Sequence, residues 1–408
     1  MTLTPQWLDE LRSRTTLSAL IGRTVKVTKA GREFKACCPF HNEKSPSFTI
    51  NDEKGFYHCF GCSAHGDAIR WMTDQRGLSF MDAIKELAAE AGMEVPAPDP
   101  KAAQRAEKAN SLYDVMTSAQ DWFVAQLQSP DGAGARAYLK KRGFSEKTIR
   151  DFGFGLAPDN RTALKSALKQ YGDAMLVEAG LLIAVEGKDP YDRFRGRLMI
   201  PIRDPRRRVI AFGGRILGDG EPKYLNSPDT PLFDKGRTLY NLDKCSPASR
   251  QTGRVIVVEG YMDVIALAQF EINNAVATLG TALTESHLQK IFRYTSEIVF
   301  CFDGDKAGRK AAARSLETAL PEMRDGVSAK FLFLPDGEDP DTMVRQLGKE
   351  AFMKQVNSAL PLSEFLFEQL SDGIDDSTAD GKARLSKICA PQINRIPQGV
   401  FRQLMLEE

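Results

Sequence analysis

Four potential metal ligands fall into two pairs near the N-terminus, Cys38-Pro-Phe-His41 and, after a 17-residue spacer, Cys59-Phe-Gly-Cys62. Two such pairs, each on a tight turn and joined by a hairpin, suit one tetrahedral zinc ion. Thiolates select zinc over magnesium or calcium. Protein fills all four positions, so the ion would be structural. Cys37 and His58 adjoin the pattern without fitting its spacing, and His65 reads as exposed or hydrogen-bonded. Gly61 supplies backbone freedom for a ligand-bearing knuckle. The competing reading, cysteines buried in a small core, suffers because this stretch has few large aliphatic residues to build a core without a staple.

Periodicity around these ligands predicts a helix over 5–20, strands over 24–28, 33–37, 47–51 and 55–59, and a helix over 80–91. Strand alternation places Phe56, His58 and Phe60 on one face and Tyr57 on the other. Such a face could stack exposed bases, whereas the plainer reading has Phe48 and most of these rings packing the core. A proline-rich stretch at 95–100 then reads as a semi-stiff linker.

The 408 residues exceed one ordinary core, so several domains are expected. The boundaries drawn are 1–95 for the zinc-binding ribbon, 96–110 for a linker, 111–245 for a mixed α/β part, 246–345 for alternating strands and helices, and 346–408 for helices. Seven cysteines, an odd number, do not form a disulfide framework. No apolar run reaches the ~20 residues that span a bilayer, and the N-terminus does not read as a signal peptide. A cytoplasmic protein with no membrane partner is expected. The final pattern, 399–408, is helical without a capping glycine, as in a chain cut short inside a helix.

The second constellation is acidic. Short apolar runs over 254–258, 274–277, 297–302 and 329–334 alternate with helical patterns over 263–269, 285–292 and 307–320. That alternation predicts a mostly parallel sheet covered by helices. Three of the runs end in acids: Glu259-Gly-Tyr-Met-Asp263, Asp303-Gly-Asp305, and Asp336 leading to Asp339-Pro-Asp341. In open α/β sheets ligands bind at that carboxyl edge. Converging carboxylates repel unless cations lie between them, and oxygen ligands select Mg²⁺ or Mn²⁺. Two or more such ions suit phosphoryl transfer, with activation of a hydroxyl and stabilisation of a leaving pyrophosphate. Helix capping is the alternative. It explains one or two acids, not three clusters.

Lys and Arg number 55 against 54 Asp and Glu, a net charge of +1 that points to no nucleic-acid partner. The distribution does. Arg193, Arg195 and Arg197 alternate and would share one strand face. Arg215, Lys223-Tyr224-Leu-Asn226 and Lys235 follow. One-sided arginine on a strand offers a surface to phosphates.

Taken together, these motifs resemble the bacterial DnaG-type primases over essentially the whole chain. Cys38, His41, Cys59 and Cys62 resemble that family's zinc ribbon. Glu259 to Asp263, Asp303 to Asp305 and Asp339 to Asp341 resemble the acidic motifs of its toprim-containing catalytic domain. Residues 193–197 and 223–228 resemble its basic motifs. The resemblance implies a multidomain α+β fold: a zinc ribbon, then a mixed α/β subdomain, a parallel-sheet toprim subdomain and a helical part. It implies a nucleotidyltransferase that copies single-stranded DNA into RNA primers from ribonucleoside triphosphates. Glu259, Asp263, Asp303 and Asp305 would be catalytic. Glu259, Asp303, Asp305, Asp339 and Asp341 would hold magnesium or manganese. Arg193, Arg195, Arg197, Arg215, Lys223, Tyr224, Asn226 and Lys235 would meet nucleic acid or nucleotide. The family's replicative helicase would dock through a C-terminal domain expected to be absent here, with single-stranded DNA-binding protein as a further candidate partner. Toprim acids also serve topoisomerases, which need a separate strand-passage domain, and nucleases, which need no nucleotides. A zinc-stabilised DNA-binding mediator is the non-enzymatic alternative.

Overall fold

A computed structural model describes residues 5–43, 45–95, 100–218, 220–375 and 377–408. The chain divides into two units, residues 1–108 and 109–408. No described helix is long and apolar enough to cross a membrane.

The first unit is built on consecutive antiparallel strands, β1 (Thr28–Ala30), β2 (Glu33–Ala36), β3 (Phe48–Asn51), β4 (Phe56–Cys59) and β5 (His65–Gly66), in that spatial order. The helix expected over 5–20 is two helices, Pro5–Arg14 and Leu17–Gly22, because Thr16 adopts an extended conformation. The strand expected over 24–28 starts only at Thr28. The N–H groups of Thr24 and Val25 are already spent on the carbonyl of Ile21 in the turn that closes the second helix. A helix over Ala68–Arg76 was not expected. Asp67 caps it by accepting from Arg70 N at 2.9 Å, and Gly77 ends it at φ 66°. Phe48, Tyr57 and Trp71 are each at most 1% exposed and interlock, with ring centroids 5.1 Å apart for Phe48–Tyr57 and 5.6 Å for Tyr57–Trp71. The helices add Leu11, Leu17, Ile21, Met72, Ile84 and Leu87 to this core. The unit is therefore better supplied with apolar residues than its strands alone suggest.

Residues 96–99 of the proline-rich stretch lie outside the described residues, and a helix runs over Pro100–Gln128. The second unit then places β6 (Gly155–Ala157), β7 (Leu182–Val185), β8 (Lys188–Asp192), β9 (Arg197–Arg203), β10 (Val209–Ile216) and β11 (Tyr224–Asn226). β7 and β8 form a hairpin, and the others an antiparallel sheet ordered β11-β10-β9-β6.

The remaining strands are β12 (Arg254–Val258), β13 (Ala275–Ala277), β14 (Glu297–Phe302), β15 (Ser328–Phe333) and β16 (Leu360–Pro361), ordered β13-β12-β14-β15-β16. The first four are parallel, as the sequence predicts. The short β16 adds an antiparallel edge. Both faces are covered, so beyond a charged group at their starting edge (Arg254, Glu297 and Lys330) the strands are apolar, and their residues alternate between two cores. Ile256, Val258, Val299, Cys301 and Leu332 join one core, which they share with Leu198, Ile200 and Ile202 of β9. Val255, Val257, Ile298, Phe300 and Phe331 join the other. One continuous core thus links the antiparallel sheet to the parallel one.

Phe331 is 1% exposed and packs against Phe300 at 5.2 Å and Phe365 at 4.5 Å. Phe331→Ala is expected to cost about 3–5 kcal/mol, read as a lower urea midpoint at unchanged slope.

Candidate active site and metal centre

The zinc-type ligands converge. The Sγ atoms of Cys38, Cys59 and Cys62 and a ring nitrogen of His41 all lie within 4.8 Å of one another. Two edges of this group measure 3.7 Å, Cys38 Sγ to Cys62 Sγ, and 3.8 Å, Cys59 Sγ to His41 Nδ1. Zn–S bonds of about 2.3 Å in a tetrahedron give S–S edges of about 3.8 Å, so zinc fits. Burial pushes the Cys38 thiol up to about 12. Burial also opposes ionisation of Cys59. There the Ser47 hydroxyl and the backbone N–H groups of Cys62 and Gly61 prevail and bring it down to about 7.

Glu43, which sequence reasoning passed over, braces the group. It accepts from Cys38 N at 2.6 Å and Ser47 Oγ at 2.5 Å, and stands 3.3 Å from His41 Nε2. A carboxylate behind a ligating histidine fixes its ring and tautomer. Gly61 is needed for space rather than for backbone freedom. It is not among the glycines at positive φ, and an added Cβ would sit 2.7 Å from His41 Nε2. Phe60 is 73% and Phe56 40% exposed, whereas Tyr57 and Phe48 are core. The alternation therefore sorts the rings as the sequence suggests.

The acids line the carboxyl edge of the parallel sheet. From β12 the chain moves to β13 on one side, then crosses back to β14 on the other. The strand order therefore reverses between β12 and β14, the crevice where open α/β sheets bind ligands. Glu259 follows β12, and Asp303 and Asp305 follow β14. Gly304 brings the third acidic segment close, since a Cβ there would lie 2.4 Å from Leu334 O and 2.2 Å from Pro335 O.

The acids feel one another. Burial, then the charges of Glu259, Asp339 and Asp305, push Asp303 up to about 7. Burial, then Asp339, Asp303 and Asp341, hold Asp263 well above the usual carboxylate range. Burial and Asp305 raise Glu259, against an N–H bond from Asp303. A cation would relieve this crowding, and these oxygen donors fit a hard divalent ion.

Capping explains more of the acids than the sequence reading granted, one in each cluster. Asp305 accepts from Gly308 N at 2.7 Å and Asp339 from Thr342 N at 2.7 Å. Asp263 accepts from Gly260 N at 3.1 Å. Each bond engages one oxygen. Asp341 differs, because both its oxygens meet guanidinium groups, Oδ1 at 2.5 Å from Arg345 Nε and Oδ2 on Arg142 Nη2. Arg142 carried no sequence signal, being 199 residues away.

The basic residues are sorted by the fold, and the expectation of a shared strand face needs correction. Arg193, Arg195 and Arg197 do not share a strand face. β8 ends at Asp192, and a turn through Gly196 (φ 58°) precedes β9. Arg197 is buried and donates to Gly214 O at 3.1 Å and Pro222 O at 2.9 Å. Asn226 spends its amide internally, accepting from Tyr261 Oη and donating to Leu279 O at 2.8 Å. Arg193 donates to Gly180 O at 3.0 Å, and Arg195 lies 5.1 Å from the Tyr191 ring. Arg215, 9% exposed, bonds Tyr224 Oη at 3.1 Å. Lys223 and Tyr224 are exposed and Lys235 partly so.

Family profiles cover most of the chain: "CHC2 zinc finger" over residues 3–103, "DNA primase catalytic core, N-terminal domain" over 122–246 and "Toprim-like" over 256–344. The DNA primase of Escherichia coli K12 is 48% identical over 410 residues, covering 98% of this chain and 70% of that protein. This chain belongs to the DNA primase family. Among solved structures, a DnaG primase catalytic domain bound to single-stranded DNA shares 48% identity and a TM-score of 0.68, covering 74% of this chain and 98% of that one. The Aquifex aeolicus primase, zinc-binding and RNA polymerase domains, shares 31% identity and a TM-score of 0.63, covering 98% of this chain and 94% of that one. A zinc-type ligand set in the ribbon and a divalent-metal requirement in the toprim module come with the family. A fourth profile corrects the expectation of a missing helicase-docking domain. "DnaB-helicase binding domain of primase" matches residues 363–408. The expectation rested on an uncapped terminal helix, which says nothing of the surfaces that the preceding helices present.

Cys59→Ser is expected to reduce bound zinc from about one ion per chain to near none, measured by atomic absorption, and to open the 38–62 hairpin to protease. Full zinc retention would overturn this ligand set.

Proposed function

We propose that this chain is a primase that synthesises short RNA on single-stranded DNA from ribonucleoside triphosphates, with its reacting centre between β12 and β14. The observation that carries this reading is Asp303. It stands with Glu259 at the strand-order reversal, where burial and the charges of Glu259 and Asp339 push it up to about 7, and among the described residues its carboxylate accepts no hydrogen bond. Divalent cations held there, Mg²⁺ or Mn²⁺, would supply charge neutralisation for the attacking hydroxyl and the departing pyrophosphate.

The chain's own groups do the rest. Glu259 and Asp303 hold the cations, and Asp305 and Asp339 each present the oxygen that capping leaves free. Asp263 orders the start of its helix. Asp341, neutralised by Arg142 and Arg345, fixes the 339–341 segment. As the primer 3′-oxygen bonds to the α-phosphorus and the bond to pyrophosphate breaks, Glu259 accepts the hydroxyl proton. Lys223, Tyr224, Arg195, Arg215 and Lys235 hold phosphates of template or nucleotide, while Arg193, Arg197 and Asn226 brace the segments that carry them. In this division residues 1–95 select the initiation site, with exposed Phe56 and Phe60 stacking bases. Residues 111–345 carry out synthesis at the replication fork in the cytoplasm. Residues 346–408 meet the replicative helicase.

Asp303→Asn is expected to lower incorporation of labelled ribonucleotides by at least about 10²-fold, since metal stabilisation is worth several kcal/mol, with the unfolding midpoint preserved. An unchanged rate would sink the assignment, and template cleavage without RNA would favour the nuclease reading. For the helicase surface, Ile388, Val400, Leu404 and Leu406 are 38–63% exposed on the terminal helices. Leu404→Asp is expected to weaken helicase binding about tenfold in a titration, as loss of a buried apolar anchor does.

A further inference from the structure

The basic loop that carries Lys235 has its backbone fully committed. Lys235 N bonds Asp229 Oδ1 at 3.1 Å, Gly236 N bonds Asp234 Oδ1 at 2.9 Å, and Arg237 N bonds Asp234 O at 3.1 Å. The carbonyls of the same three residues are all taken by a helix distant in sequence, Glu285–Ile291, and its cap. His287 Nε2 lies 3.1 Å from Lys235 O, Thr284 Oγ1 donates to Gly236 O at 2.7 Å, and Lys290 Nζ donates to Arg237 O. These donors sit at positions 284, 287 and 290, three residues apart, which puts them along one side of the helix. Every N–H and C=O of residues 235–237 is therefore satisfied inside the protein, which leaves the two cationic side chains for a ligand. Arg237 is exposed and Lys235 partly so. Among the described residues neither makes an ion pair.

His287 is the centre of this clamp. It is fully buried, and its Nδ1 accepts from Thr284 N at 3.2 Å, so the proton must sit on Nε2, which donates to Lys235 O. Burial also holds the ring below the ordinary histidine range, which keeps that neutral tautomer. A ring that takes one N–H and feeds one carbonyl couples the helix cap directly to the loop. Loss of either bond would strand a buried polar group.

We infer that His287 is a positioning residue for phosphate binding, holding the 235–237 loop on the toprim helix so that Lys235 and Arg237 meet the backbone of the single-stranded template in one geometry. This rests on the reading that Lys235 contacts phosphate. His287 itself touches no ligand. Its contribution is to remove the entropy that a free basic loop would lose on binding.

The test compares His287→Ala, His287→Gln, Lys235→Ala and the His287→Ala/Lys235→Ala double variant in the full chain. The readouts are KM for template and kcat in primer synthesis, hydrogen exchange of the amides of 235–237, and the unfolding midpoint. His287→Ala is expected to raise KM for template about tenfold, a loss on the scale of one or two hydrogen bonds. Its kcat should stay within about twofold and its loop amides should exchange faster. His287→Gln, whose amide can still donate to Lys235 O, should stay near the parent. In the double variant His287→Ala should raise KM by less than it does alone, since only Arg237 is left to position. An unchanged KM in His287→Ala, with only stability lowered, makes the histidine a core residue and overturns the inference. Lys235→Ala with unchanged KM would overturn the phosphate reading instead, and the clamp would then stand only if His287→Ala still raised KM through Arg237. Should His287→Ala fail to fold, Thr284→Val, which deletes the Gly236 bond, should raise KM in the same direction by about threefold, and an unchanged value there would overturn the inference.

Discussion

Everything in the catalytic unit has to accommodate the repulsion of carboxylates gathered at one edge of a sheet. The chain handles its acids in three ways. Asp341 is neutralised from within by Arg142 and Arg345. Asp263, Asp305 and Asp339 each spend an oxygen on a backbone N–H at a helix start, where the helix dipole favours negative charge. Glu259 has one N–H, from Asp303, and among the described residues Asp303 has neither a cationic side chain nor a compensating hydrogen bond. The cost of bringing the acids together is thus dispersed for most of them and left open at two. Those two flank the reversal of strand order. Capping and metal binding are therefore not rival explanations. Caps make the crowding tolerable, and the uncompensated remainder makes a cation favourable.

A rigid support has to hold such a site open. The parallel sheet supplies it, because its strands are apolar on both faces and interleave two cores. Loops at the carboxyl edge then carry function without contributing to the packing beneath. Gly304 shows how tight the edge is, for no side chain fits between its Cα and the carbonyls of Leu334 and Pro335. The basic residues follow a similar logic on the antiparallel sheet. Arg197 and Asn226 are consumed in holding strands and loops together, so that exposed Lys223 and Tyr224 are presented at a fixed place.

What was legible in the sequence was what depends on local pattern. The two ligand pairs of the zinc group, and the apolar runs of β12, β14 and β15 with the acids at their ends, are each patterns written within a few residues. The first helix and first strand were misplaced because Thr16 and the turn at 23–25 answer to hydrogen bonding that propensity does not encode. The arginines of 193–197 were misread because the alternation carries no sign of the turn through Gly196 that separates β8 from β9, so that only Arg197 stands on a strand. Arg142 and Glu43 were invisible for a different reason. Their meaning lies in a partner that folding brings to them, across 199 residues in one case and around a knuckle in the other.

The two metal-type groups also answer opposite physical demands. In the ribbon, soft ligands sit on turns beside a core of Phe48, Tyr57 and Trp71 that the flanking helices complete. A metal there closes two knuckles over a core that already exists, so its loss should be felt first in the hairpin and only then in the helices. In the toprim sheet the acids stand on a core large enough to survive without any cation, and a cation there changes charge rather than fold. Binding at the second group can therefore be weak and exchangeable without endangering the structure. A site that must release pyrophosphate in every cycle requires that freedom, and the ribbon does not share the requirement.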